Sequence, residues 1–145
     1  MTLKEKIKQK QKLIATHVSL DEVCTARIAG LSGVDFVCLD FEHGMMSLQT
    51  LLSQIIAVKS TGAAVVVRVP QDDLTATKKI LEMGPDGLIF PMARNKEEID
   101  RIVATSLYPP YGTRGFGPIN ANDYGFQDAY SQAANNLRAV HLQGK

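Results

Sequence analysis

Two carboxylates and an imidazole stand together in Asp40-Phe41-Glu42-His43-Gly44, directly after an apolar run, and an arginine closes a second such run in Val67-Arg68-Val69-Pro70. An imidazole with a pKa near ~6.5 can move a proton at neutral pH, and a guanidinium can stabilise negative charge that develops in a dry site. Charged groups cost several kcal/mol to bury unpaired, so these must pair with one another or line a site. Residue types leave both readings open. In one, Arg68 forms a buried ion pair with Asp40 or Glu42 and His43 caps a loop; in the other, they serve a reaction.

Other chemistry-bearing residues give weaker signals. His17 and His141 could join His43 in a three-histidine zinc site, but nothing in their spacing indicates convergence, and a single histidine is more often a hydrogen-bonded lining residue. Cys24 and Cys38 form no CxxC pair and fall in apolar-rich segments, so both are expected to act as small core residues. The stretch from Tyr108 to Pro118 holds three glycines and three prolines, a long connection of the kind that is often functional.

Elements that could position these groups follow from periodicity. Five strand-sized apolar runs occur, at Leu13 to Val18, Phe36 to Phe41, Ala64 to Val69, Gly87 to Met92 and Leu137 to Gln143. Helical patterns separate the first four. The clearest is Leu48, Leu51, Leu52, Ile55 and Ile56, with Ser47 placed to cap it. Ser19 and Glu22 have capping-box spacing before Val23, Asp72 and Asp73 open Leu74 to Met83, and Asn95 with Glu98 opens the Ile99, Ile102, Val103 stripe. Gly33, Gly62 and Gly84 fall where helices should end in a left-handed residue. Strands alternating with helices are joined by right-handed crossovers into a parallel sheet covered on both faces. That pattern fits a doubly wound sheet or an eight-stranded β/α barrel. The absence of GxGxxG after the first strand, and of GxxxxGK[ST] anywhere, shifts weight to the barrel. In a barrel, Asp40, His43 and Arg68 would share the C-terminal end of the sheet, where catalytic groups sit.

Composition excludes some classes. The 145 residues carry 16 Lys plus Arg against 15 Asp plus Glu, and a net charge of +1 supplies no broad field for a phosphate backbone, so no nucleic-acid partner is expected. Residues 1–12 lack the apolar core of a secretory signal, and no stretch approaches the ~18 apolar residues of a membrane span. The cytoplasm is the default setting.

The ordered set Asp40-Phe41-Glu42-His43, Arg68-Val69-Pro70, Pro91-Met92 and Tyr-Pro-Pro-x-Gly-x-Arg-Gly-x-Gly from Tyr108 to Gly117 resembles the 4-hydroxy-2-oxoheptanedioate aldolases. These are class II, metal-dependent pyruvate aldolases related to citrate lyase β subunits. The likeness runs from about the first strand to Gln143. It implies a (β/α)8 TIM-barrel fold, of which residues 1–145 would be the N-terminal part of one domain, about five strands. It also implies a homo-oligomer, hexameric in the family, acting on a small 2-oxo acid and an aldehyde. By resemblance, His43 is the base that acts through water, Asp40 its orienting carboxylate, and Arg68 the arginine facing the pyruvate enolate. Glu42 would order metal-bound water, and Gln143 would contact substrate. Arg114 is expected to serve its loop or a subunit contact.

The resemblance further implies a divalent cation, Mg, Mn, Co or Zn. The family's first metal-binding glutamate should lie two residues after a glutamine, yet Lys145 holds that position after Gln143. A protonated ammonium offers no lone pair, and the second ligand, an aspartate, belongs to a later strand. This chain by itself is therefore expected not to bind the metal. The leading expectation is a truncated aldolase, inactive in this form. The alternative is a non-catalytic half-barrel that works as an association module, since a closing sheet left open has two exposed edges.

Overall fold

The computed structural model describes residues 1–71, 73–115, 117 and 119–126, with the backbone of 140–142. Five strands, β1 (Ala15–Val18), β2 (Phe36–Asp40), β3 (Ala64–Arg68), β4 (Gly87–Phe90) and β5 (Val140–Leu142), form one sheet. Every pair is parallel, and the strands lie side by side in chain order. A doubly wound sheet reverses its order at a switch point. Sequential order is that of a β/α barrel.

Helices α2 (Val23–Leu31), α3 (Leu48–Lys59) and α4 (Leu74–Glu82) link the first four strands, and α5 (Lys96–Ser106) follows β4. Ser47 accepts from the Thr50 N–H, Asp73 from Ala76 and Asn95 from Glu98, as their positions predict. Asp72 and the segments 137–139 and 143 of the expected last strand lie outside the described residues. Gly33, Gly62 and Gly84 have φ of 85°, 86° and 73°, the left-handed geometry expected of helix-ending glycines.

The structure differs from the sequence reading in detail, and the fourth strand ends at Phe90, not Met92. Glu22, not Ser19, caps α2, by accepting from the Cys24 N–H at 3.0 Å. The buried Gln54 explains this: its amide donates to the carbonyls of Leu20 (2.8 Å) and Glu22 (3.2 Å), fixing 19–22 as a loop. Cys24 is exposed rather than in the core, because α2 turns Ala26 and Gly30 inward and leaves Cys24, Ile28 and Leu31 outside; Cys38 is buried. A short unexpected helix, α1 (Leu3–Lys8), begins at a Thr2/Glu5 capping box.

Alternation along the strands separates two clusters. Val37, Leu39, Val65, Val67 and Leu88 pack outward against Leu51, Ile55, Val58 and Ile80 of the helices. On the inner face Cys38, Val66 and Ile89 pack with Leu3 of α1, which lies at the N-terminal end of the sheet near Asp35. Two aspartates just ahead of strands clamp that end. Asp35 accepts from the Ile14 N–H at 2.9 Å and returns its own N–H to the Ile14 carbonyl at 2.8 Å; Asp86 repeats this with Val65 at 2.9 and 2.7 Å.

Candidate functional site

Strand register assembles the polar cluster. Asp40 is the last residue of β2 and pairs in register with Arg68, the last residue of β3, on the face that carries Cys38 and Val66 two residues earlier. Apolar neighbours fill those lower levels, so the first charged level stands where the strands end and the loops begin.

Asp40 is 5% exposed, and both its carboxylate oxygens are occupied. Oδ2 accepts from Arg68 Nη2 at 2.7 Å, and Oδ1 accepts from Arg68 Nε at 3.0 Å and from the backbone N–H groups of Glu42 (3.2 Å) and His43 (3.1 Å). Burial pushes the Asp40 carboxyl up, but the Arg68 hydrogen bonds, the His43 N–H, the Arg68 charge and the Glu42 N–H together hold it below the usual range. The hydrogen bond to Asp40 in turn raises Arg68 above its ordinary value. Beneath them, burial followed by the Asp40 charge pushes the Cys38 thiol up to about 11, which keeps it protonated.

The loop beyond Asp40 folds back on it. The Gly44 N–H donates to the Asp40 carbonyl at 3.1 Å, and a Cβ on Gly44 would lie 2.1 Å from that oxygen and 3.1 Å from the Ser19 carbonyl. Only glycine fits this closeness. The turn places Glu42 Oε2 3.3 Å from Arg68 Nε and 3.5 Å from His43 Nε2, while the His43 side chain is 70% exposed. Asp40, Arg68, Glu42 and His43 thus form a chain of contacts from the sheet to solvent.

The structure therefore brings together four of the five expected site residues at one end of the sheet; Gln143 lies outside the described residues. The ion pair that the residue types allowed is present, shared between both carboxylates. Asp40 orients His43 through its backbone N–H, and the carboxylate beside the imidazole is Glu42. Asp40 takes two of the five Arg68 N–H groups. His17 sits one level deeper, paired with Cys38, and His141 pairs with Ile89 in register. Among the described residues no group of three His, Cys, Asp or Glu could hold a metal ion.

The roles of Gly44 and Gln54 were not read from the sequence. A glutamine inside the apolar stripe of α3 was the readable sign of Gln54.

Arg114 has a different setting. Its Nη2 lies 2.6 Å and its Nε 3.2 Å from Glu82 Oε1, and its guanidinium sits 4.4 Å from the centre of the Tyr108 ring. Glu82 ends α4, just before β4 begins, so this pair lies at the N-terminal end of the sheet, away from Asp40. Gly112 is wedged beneath α5, where a Cβ would lie 2.3 Å from the Ala104 carbonyl. Arg114 thus serves its loop.

No helix among the described residues is long and apolar enough to cross a membrane. A family model described as HpcH/HpaI aldolase/citrate lyase matches residues 14–140. The chain is 35% identical over 124 residues to a 4-hydroxy-2-oxovalerate aldolase of Novosphingobium aromaticivorans, covering 85% of this chain and 45% of that one. It is 33% identical over 130 residues to a 5-keto-4-deoxy-D-glucarate aldolase of Escherichia coli O139:H28, covering 88% and 51%. A crystal structure of an HpcH/HpaI aldolase/citrate lyase family protein from Burkholderia cenocepacia J2315 superposes with a TM-score of 0.90 at 28% identity, over 97% of this chain and 58% of that one. The chain spans about half the length of the curated relatives it matches.

Proposed function

The chain belongs to the HpcH/HpaI aldolase/citrate lyase family, and we propose that its site serves a carbon–carbon lyase that cleaves a 4-hydroxy-2-oxo acid to pyruvate and an aldehyde. The observation that carries this reading is the Asp40, Glu42, His43 and Arg68 cluster at the C-terminal end of a sequentially ordered parallel sheet. Relatives named as aldolases favour a lyase over the association module.

In this reading His43, acting through water, takes the proton of the C4 hydroxyl. The C3–C4 bond breaks, C4 leaves as the aldehyde carbonyl, and the bonding pair passes to the enolate of pyruvate, which is then protonated at C3. Arg68 faces the enolate oxygen, where a fixed cation is worth far more than in water. Its orientation is set by Asp40, whose own charge is secured by burial-resisting hydrogen bonds. Glu42 stands beside the imidazole and stabilises it when protonated.

The family resemblance also implies a divalent cation. With Asp40 spent on Arg68, the described residues alone do not fit one. Gln143 and Lys145, on which that expectation turned, lie outside them. A homo-oligomer and a cytoplasmic setting complete the proposal. The test is pyruvate release from 4-hydroxy-2-oxo acids by the full-length gene product, with Mg, Mn, Co or Zn and with chelator. The 145 residues alone are expected to release none; chelator-sensitive release from them would overturn the assignment of Lys145 to the missing carboxylate position.

A further inference from the structure

Resting on the aldolase reading, we propose that Gln54 is a positioning residue for His43. From inside α3 it holds the loop after β1, and that loop bounds the turn that carries the imidazole.

A glutamine is out of place where Gln54 stands. It is fully buried on the face of α3 that also buries Leu51, Ile55 and Val58, all apolar. Among the described residues its Oε1 has no hydrogen-bond partner. A buried acceptor left unpaired costs stability, and an apolar side chain of similar size would avoid that cost. Its Nε2 donates to the carbonyls of Leu20 at 2.8 Å and Glu22 at 3.2 Å. Both acceptors are main-chain atoms of one loop, so what the amide fixes is the path of that loop. Residues that break a local rule in this way gather at functional sites.

The loop passes this constraint to the site. The carbonyl of Ser19, one residue before Leu20, lies 3.1 Å from where a Cβ on Gly44 would be, so the two loops pass each other with no room for a side chain. His43 immediately precedes Gly44. Its turn is tied from below by Asp40, which accepts from the Glu42 and His43 N–H groups through its carboxylate and from the Gly44 N–H through its carbonyl. Met46, buried in the outer core, anchors the far end. The His43 side chain is 70% exposed and touches Glu42 of the same turn, so its position follows from this backbone. Arg68 is set separately, by Asp40 across the register of β2 and β3. Releasing the loop after β1 should therefore disturb the base and spare the arginine.

The experiment compares the full-length gene product with Gln54→Met, which keeps an unbranched side chain of similar length and removes the donor. A small misplacement of the base predicts a fall in kcat of roughly tenfold to a hundredfold. KM for the 2-oxo acid should stay within about twofold, as expected when only the transition state loses a contact. The urea midpoint should hold. Hydrogen exchange should quicken at the amides of Cys24, Glu42, His43 and Gly44, each hydrogen-bonded in the parent, and not in β2 or β3. Unchanged kcat, a KM that rises as far as kcat falls, or a kcat that drops only with the urea midpoint would overturn the proposal. Gln54→Leu is the second variant should Gln54→Met not fold, and failure of both to fold would assign Gln54 to the core alone and overturn it too. Absence of pyruvate release from the parent would instead sink the aldolase reading, and the exchange measurement would still decide whether Gln54 governs the turn.

Discussion

Two arginines end up against carboxylates at opposite ends of one sheet, and they are used differently. Arg114 lies over an aromatic ring, its side chain 8% exposed, and holds Glu82 from the end of α4 against the loop after α5. Arg68 is shared by Asp40 and Glu42, and the network continues to an exposed imidazole. An enclosed pair fixes two elements together. An ion pair that opens onto a solvent-facing titratable group keeps a proton carrier in reach of a ligand. The difference lies in what borders each pair, since the pairing chemistry is the same.

The largest effect that would sharpen this contrast is on turnover. His43→Ala should lower kcat of the full-length protein by ~10² to 10⁴, the usual worth of a positioned general base. Its unfolding midpoint should hardly move, because the side chain is exposed. Undiminished kcat would remove His43 from the reaction.

Next come the arginine partners. Glu82→Ala strands the Arg114 guanidinium in its enclosed position, and about 3 kcal/mol of stability should be lost, read from urea unfolding. Its KM for the 2-oxo acid should stay put. Arg68→Ala also destabilises, since it strands Asp40, but it should raise KM for the 2-oxo acid as well. A rise in KM in both variants, or in neither, would erase the distinction between the two ends.

The smallest effect is in pH dependence. Folding holds the Asp40 carboxyl below its ordinary range, because the Arg68 and backbone hydrogen bonds outweigh burial. A carboxyl depressed in this way contributes stability above its unfolded pKa of ~3.9, and that contribution is lost as pH falls through the lower folded value. The parent should therefore lose more stability than Asp40→Asn as pH drops from about 5 toward 3. Parallel acid limbs in urea unfolding would show that Asp40 is not depressed in the native state.

Much of the architecture was legible because it is written locally. Apolar runs marked the strands, and Ser47, Asp73 and Asn95 announced the helices that they cap. The helix at Leu3–Lys8 was written equally locally, in Thr2 and Glu5, but it is too short to show periodicity. Ser19 misled because Ser-x-x-Glu suits two different starts, and Gln54, more than thirty residues away, decides between them. The polar site was legible as residue types at strand ends. Its wiring was not. That Asp40 meets Arg68 depends on strand register, and that Glu42 rather than Asp40 neighbours the imidazole depends on the turn that Gly44 permits. Arg114 and Glu82 lie 32 positions apart in sequence, beyond the reach of any local signal.

The aspartate clamps at Asp35 and Asp86 bear on how the sheet is divided into locally closed units. Each closes a segment spanning 21 positions, Ile14 to Asp35 and Val65 to Asp86, around one helix. Closing loops of that length costs little more than closing shorter ones, because the entropy grows only with the logarithm of length. The two clamps thus tie the first four strands into two locally closed units, one in each half, and the seam between β2 and β3 joins them. That seam is where Asp40 meets Arg68, so the charged pair belongs to the junction of the two units and not to either of them.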